Sequence, residues 1–173
     1  MNINIRKNNV AVSYTKVDSL NELKEVLRRK SANLIIPDDE CGGNSYLLDF
    51  KSSYPIWQAS CGLCFGTGVT PEIMLADNTD YCWIGYDCQV SYIDLRNQKV
   101  LFEIDTWGSF WEFIPVDKDK IVIVHELGAV SVNTQGRELW SLSGHDILAD
   151  FKVENGKVKL IFEDGQVLSH SLE

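Results

Sequence analysis

The chain has 173 residues, 45% of them hydrophobic, and a formal net charge of −9. This length supports one domain with its own core, and no apolar run approaches the roughly 18 residues that a bilayer-crossing helix needs. The acid excess argues against a nucleic-acid partner and favours a cationic one, since long-range charge steers encounters.

The charge is unevenly spread. Residues 1–40 hold seven basic and six acidic side chains, whereas Glu72 to Asp117 holds two basic and nine acidic ones. The opening MNINIRKNN has neither the apolar core nor the small-residue cleavage site of a signal peptide, so a soluble cytoplasmic domain is expected, with no membrane contact. Five cysteines, an odd number, fit a reducing compartment and buried thiols better than a disulfide framework.

Along the chain, NINI and VAVSYTK flank an Arg6-Lys-Asn-Asn9 turn and read as a hairpin. Ser19-Leu-Asn-Glu22 is a capping box in which Glu22 reaches back to the Ser19 amide. Leu20, Leu23, Val26 and Leu27 then form one helical face, and Arg28, Arg29 and Lys30 complement the negative end of the helix dipole. Ala32 to Pro37 reads as a short strand, which makes residues 1–40 a β-α-β cap. Three consecutive acids, Asp38, Asp39 and Glu40, with Gly42-Gly43 mark an exposed loop. Tyr46 to Phe50 is a candidate strand, and the glycine-punctuated Tyr54 to Pro71 reads as irregular, so residues 41–80 form a connector.

From Tyr81 the pattern becomes regular and repeats. Tyr92 to Phe102 aligns with Ser131 to Trp140, Phe113-Ile-Pro-Val with Phe151-Lys-Val-Glu, and Ile123 to Gly128 with Ile161 to Gly165. The period is 37 to 38 residues, giving two full units (about 82–118 and 121–155) and a half unit (158–172). Ile121 to Trp140 shows the theme: apolar strand, Leu-Gly turn, strand, Asn-Thr-Gln-Gly turn, strand.

The element Asn133-Thr-Gln-Gly136-Arg137-Glu-Leu-Trp140 resembles the strand-turn-strand of quinoprotein-type (PQQ-like) propeller blades. Residues 94–102 are similar to a degraded copy, with Gln98 in place of the turn glycine and Phe102 in place of Trp. The resemblance covers about half the chain and implies blade-like hairpins. Two and a half units cannot close a propeller of four or more blades. The expected fold is therefore one mostly β (α+β) domain over residues 1–173, an antiparallel meander curled into a sandwich or roll and capped by residues 1–40. No quinone or metal ligand of that family carries over by position, so no cofactor and no metal is expected.

Two constellations compete for function. Cys61-Gly-Leu-Cys64 has the spacing of a redox dithiol or half a zinc site, with Cys41, Cys82 and Cys88 as further ligands, and makes a thiol- or zinc-dependent enzyme one alternative. The following Phe-Gly-Thr-Gly is a poor helix start, however, and no glycine elbow surrounds a nucleophile, so catalytic residues are not expected. Gly66-Thr-Gly68 also lacks the rest of a dinucleotide fingerprint. The second constellation is Asp105-Thr-Trp107-Gly-Ser-Phe110-Trp111-Glu112-Phe113, aromatics beside acids, where rings supply contact area and carboxylates meet Arg or Lys. Packing of these rings in the core is the competing reading.

The expected partner-binding residues are Asp38, Asp39, Glu40, Asp87, Asp105, Trp107, Trp111 and Glu112. In gross character, small, acidic and without catalytic signature, the chain is similar to bacterial immunity proteins. That resemblance implies a non-catalytic inhibitor of a basic toxin such as a nuclease. A propeller-derived scaffold or ligand-binding protein is the other alternative.

Overall fold

The structure, a computed structural model, describes residues 4–6, 10–37, 43–66, 70–76 and 80–172. Among them are one helix, α1 (Leu20–Arg29), and sixteen strands. These are β1 (Asn4–Arg6), β2 (Val10–Val17), β3 (Ile35–Ile36), β4 (Asn44–Ser53), β5 (Ile56–Phe65), β6 (Glu72–Leu75), β7 (Tyr81–Tyr86) and β8 (Gln89–Asp94). The remainder are β9 (Lys99–Asp105), β10 (Phe110–Asp117), β11 (Lys120–His125), β12 (Gly128–Asn133), β13 (Glu138–Ser143), β14 (Leu148–Glu154), β15 (Lys157–Phe162) and β16 (Val167–Ser171). The mostly β, meandering architecture expected from the sequence is the one observed.

The strands form four sheets, ordered β2-β4-β5-β3, β1-β6-β7-β8-β9, β10-β11-β12-β13 and β14-β15-β16. The last three are successive repeats whose first strands open at residues 72, 110 and 148, a spacing of 38. The period read from the sequence is therefore present, with each unit beginning about ten residues earlier than expected.

The sheets stack face to face in chain order. Leu23 and Leu27 of α1 pack on the outer face of the N-terminal sheet against Leu47 and Cys64. The opposite face places Tyr46, Leu48, Phe50, Cys61 and Leu63 against Ile73, Cys82, Ile84 and Ile93 of the first repeat. Met74, Trp83 and Tyr92 then meet Phe113, Ile121 and Ile123 of the second repeat, whose far face carries Val122 and Val124 against Leu148, Val158 and Leu160 of the third. Alternating side chains of one strand thus serve two different cores. The outer face of the third repeat is polar, with Lys152, Lys159 and Ser169 side by side across its strands.

Glu72, only 2% exposed, ties two repeats directly: its Oε2 accepts the Phe113 amide at 3.1 Å.

Four expectations need correction. The segment Asn4–Arg6 does not form a hairpin with β2; it pairs parallel with β6, while β2 pairs antiparallel with β4. The intervening residues 7–9 lie outside the described residues. The stretch expected to be irregular from Tyr54 to Pro71 is strand over Ile56–Phe65, where β4 and β5 form a ten-residue hairpin, Asn44 opposite Phe65 through Ser53 opposite Ile56, and residues 67–69 lie outside the described residues. The β-α-β unit is therefore built into a four-stranded sheet instead of standing apart as a cap. In the capping box the Ser19 hydroxyl accepts from the Glu22 amide at 3.2 Å as expected, but Glu22 reaches back to the Asp18 amide, at 2.8 Å.

Gly85 lies where the first two repeats approach each other, and a Cβ there would overlap the Phe110 ring, which is 1% exposed. Gly85→Ala forces that ring out of its seat and is expected to cost about 1–3 kcal/mol, read as a lower midpoint in urea unfolding.

Candidate protein-interaction rim

The turns at one end of the stack form a connected rim. The Thr106 amide donates to the Cys88 carbonyl (3.0 Å), Glu126 to Ser109 (2.8 Å), Leu148 to Glu126 (2.7 Å) and Glu163 to Ile147 (2.9 Å). At one edge the Gly66 amide meets both carboxylate oxygens of Asp87, at 2.8 and 3.0 Å.

The residues of this rim carry one sign of charge. The turns 87–88, 106–109, 126–127, 144–147 and 163–166, with Asp105 at the end of β9, supply Asp87, Asp105, Glu126, Asp146, Glu163 and Asp164 but neither Lys nor Arg. The opposite end is mixed, with Arg96, Lys118, Asp119 and Arg137 in its turns. The Cys88 thiol senses the rim. Desolvation first, then the carboxylates of Asp87, Asp105 and Glu126, push its pKa up.

Trp107 is the large apolar group on this rim, 82% exposed. Its backbone is in the left-handed region, at φ 57°, where a bulky residue is strained. Three hydrogen bonds hold the loop in shape. Asp105 Oδ1 accepts the Trp107 amide at 2.7 Å, Thr106 Oγ1 donates to the Gly108 carbonyl at 2.6 Å, and Glu126 Oε2 accepts the Ser109 amide at 3.2 Å. Ile147, 41% exposed, adds apolar surface on the neighbouring loop.

Of the residues singled out from the sequence, Asp87, Asp105 and Trp107 come together here. Trp111 does not: it is half-buried between the second and third repeats, as are Val116 and Trp140. Glu112 is a half-buried residue of β10 opposite Val124. Asp38, Asp39 and Glu40 lie outside the described residues. Glu126, Asp146, Glu163 and Asp164 were missed, although the repeat contains their signal: Asp87, Glu126 and Glu163 occupy the corresponding turn of each unit.

The cysteine motif separates in space. On a strand, residues three apart point to opposite faces, so Cys61 enters the core against the first repeat while Cys64 enters the core beneath α1. The two cannot act as a dithiol or share a metal. Desolvation, with a smaller push from Asp49, raises the Cys61 pKa to about 12, so the thiolate is scarce at neutral pH. Cys82, facing Cys61 in the same core, is raised as well, chiefly by burial. No cluster of three or more potential metal ligands occurs among the described residues.

No protein family and no curated protein matches this chain. Among solved structures it is similar to BamB from Moraxella catarrhalis, at 13% identity and a TM-score of 0.47, covering 71% of this chain and 37% of that one. Hsv2 from Kluyveromyces lactis matches at 10% identity and 0.47, covering 73% and 40%. The computationally designed Ika4 protein matches at 10% and 0.49, covering 82% and 98%. The chain spans less than half the length of BamB and of Hsv2.

His125 closes β11 beneath the rim, 6% exposed, with no hydrogen-bond partner for Nδ1 among the described residues. Burial lowers its pKa from 6.5 to about 4. The unfolded chain therefore binds a proton that the folded chain refuses, and stability falls as pH drops from about 6.5 to about 4. The His125 contribution approaches about 3 kcal/mol at the acid end. His125→Leu should flatten this part of the stability profile, measured by urea unfolding at pH 7, 5.5 and 4.5 beside the parent chain. Equal slopes for both proteins would show that His125 does not carry the effect.

Proposed function

We propose that the chain is a non-catalytic protein-binding module whose acidic rim receives a cationic protein. The observation that carries this reading is a run of turns with six carboxylates, neither Lys nor Arg, and an exposed tryptophan held on a left-handed turn. Carboxylates at the rim accelerate encounter with a positively charged surface, and the indole supplies the desolvated contact that sets the dissociation rate. In its most concrete form the partner is a basic toxin such as a nuclease. The chain is then an immunity protein of the cytoplasm, the rim standing in for the phosphate backbone in the toxin's cleft.

Trp107, not Trp111, is the tryptophan whose replacement tests this. Trp111→Ala would open a cavity between the second and third repeats and confound binding with stability, whereas Trp107, 82% exposed, belongs to no cluster of buried side chains among the described residues. Asp105→Lys with Trp107→Ala is expected to weaken capture of the basic partner at least tenfold, about 1.4 kcal/mol. The thermal midpoint should fall only modestly, since the one bond lost is that of the Asp105 carboxylate to the exposed Trp107 amide. Affinity of the parent chain should also fall steeply as salt rises. A calorimetric titration in which the double variant binds as tightly as the parent would remove the rim from the interface. In the immunity form, co-expression protects cells from the toxin and the double variant loses that protection.

A further inference from the structure

At the end of the stack opposite the rim, a groove separates the C-terminal half of α1 from the turn between β8 and β9. Its volume of about 840 Å³ is that of a small-molecule site. Leu27 and Ile35 contribute apolar lining, and Lys24, Arg28 and Arg96 contribute charge. Among the described residues that line it there is no Asp or Glu, in a chain whose net charge is −9.

Two of these cations already hold one carboxylate each. Arg96 Nε lies 2.8 Å from Asp80, and Arg28 pairs with Glu25 on the exposed side of the helix. Exposed pairs of this kind exchange readily, whereas a phosphate group offers a guanidinium two oxygens at once and more charge.

The groove is also built at a conformational cost. Gln98 sits at φ 51° in the β8–β9 turn, where the second repeat has Gly136 at φ 77°. In exchange for the lost glycine, the Gln98 side chain accepts the Asn33 amide at 2.9 Å and donates to the Ser31 carbonyl at 3.4 Å. One side chain thus ties both walls of the groove, and strain that the surroundings hold in place is a feature of ligand clamps. An adjoining cavity of about 520 Å³ shares Asn33, Ile35 and Gln98 but is lined by Glu103, which repels an anion toward the helix side.

We infer that this groove binds a small organic phosphate or pyrophosphate with an apolar or aromatic body. Lys24, Arg28 and Arg96 take the anion, and Ile35 with the aliphatic stems of Lys24 and Arg28 takes the body. The groove and the acidic rim lie at opposite ends, so loss of binding at one leaves the other intact.

The test is isothermal titration of the full chain with adenosine diphosphate, and separately with adenosine, in metal-free buffer of low ionic strength. Saturable binding of the diphosphate, at least tenfold tighter than adenosine, is expected. Lys24→Glu with Arg96→Glu should weaken it at least tenfold more while the thermal midpoint holds. Should that variant unfold, Lys24→Gln with Arg96→Gln is compared in its place. No saturable heat up to millimolar diphosphate, a preference over adenosine below tenfold, or an effect of the variant below tenfold would overturn the assignment.

Discussion

The structure depends on burying both faces of its interior sheets. An antiparallel sheet in water commonly shows one apolar and one polar face. Here the N-terminal sheet and the first two repeats are each covered on both sides, so their central strands must be apolar at consecutive positions. Cys82-Trp-Ile-Gly-Tyr86 and Ile121-Val-Ile-Val-His125 meet that demand, each buried throughout. Where two layers approach closely the demand becomes steric: Gly85 leaves room for Phe110 of the next sheet, and Gly62 leaves room for Leu23 of α1. The third repeat is released from it on one side, and its strands return to alternation, with Val158, Leu160 and Phe162 inward.

The same constraint governs which groups are available for chemistry. A thiol on a doubly covered strand is desolvated whichever way it points, which is why Cys61 and Cys64 have a redox spacing without redox geometry. Sequence spacing alone treats a helix and a strand alike. Three positions bring two side chains together on a helix and send them apart on a strand. Along the central strands of the doubly covered sheets few polar groups stay accessible, so at the rim end the accessible charge is what the turns carry.

Legibility followed the same division. The repeat, its period and the helix start were readable because they rest on local signals: turn residues at fixed intervals, a capping side chain and a helical apolar face. Residues 44–65 were not. Leu47, Leu48, Cys61, Leu63 and Cys64 serve cores on both faces, which erases alternation, and Gly62 resembles punctuation when its role is close approach to Leu23. The parallel pairing of Asn4–Arg6 with β6 joins segments nearly seventy residues apart, and no local pattern announces such a partner. For the rim, the aromatic segment drew notice to Trp107 and Trp111 together. Only the bulge between Phe110 and Glu112 and the following strand decide that one is exposed and the other packed.

Two bulky residues, Gln98 and Trp107, occupy left-handed backbone at opposite ends of the first repeat. Glycine would adopt either conformation without strain, and the second repeat uses Gly136 where the first uses Gln98. Stability alone therefore favours glycine at both turns, by roughly 1 kcal/mol each. Gln98 offsets this within the chain, through its bonds to Asn33 and Ser31. Trp107 does not, for its indole stands in water and its loop is held by the neighbouring Asp105, Thr106 and Glu126. A strained turn whose side chain repays nothing within the chain is the feature on which the proposed protein-binding role rests, and the carboxylates around it are what make a cationic partner the one proposed.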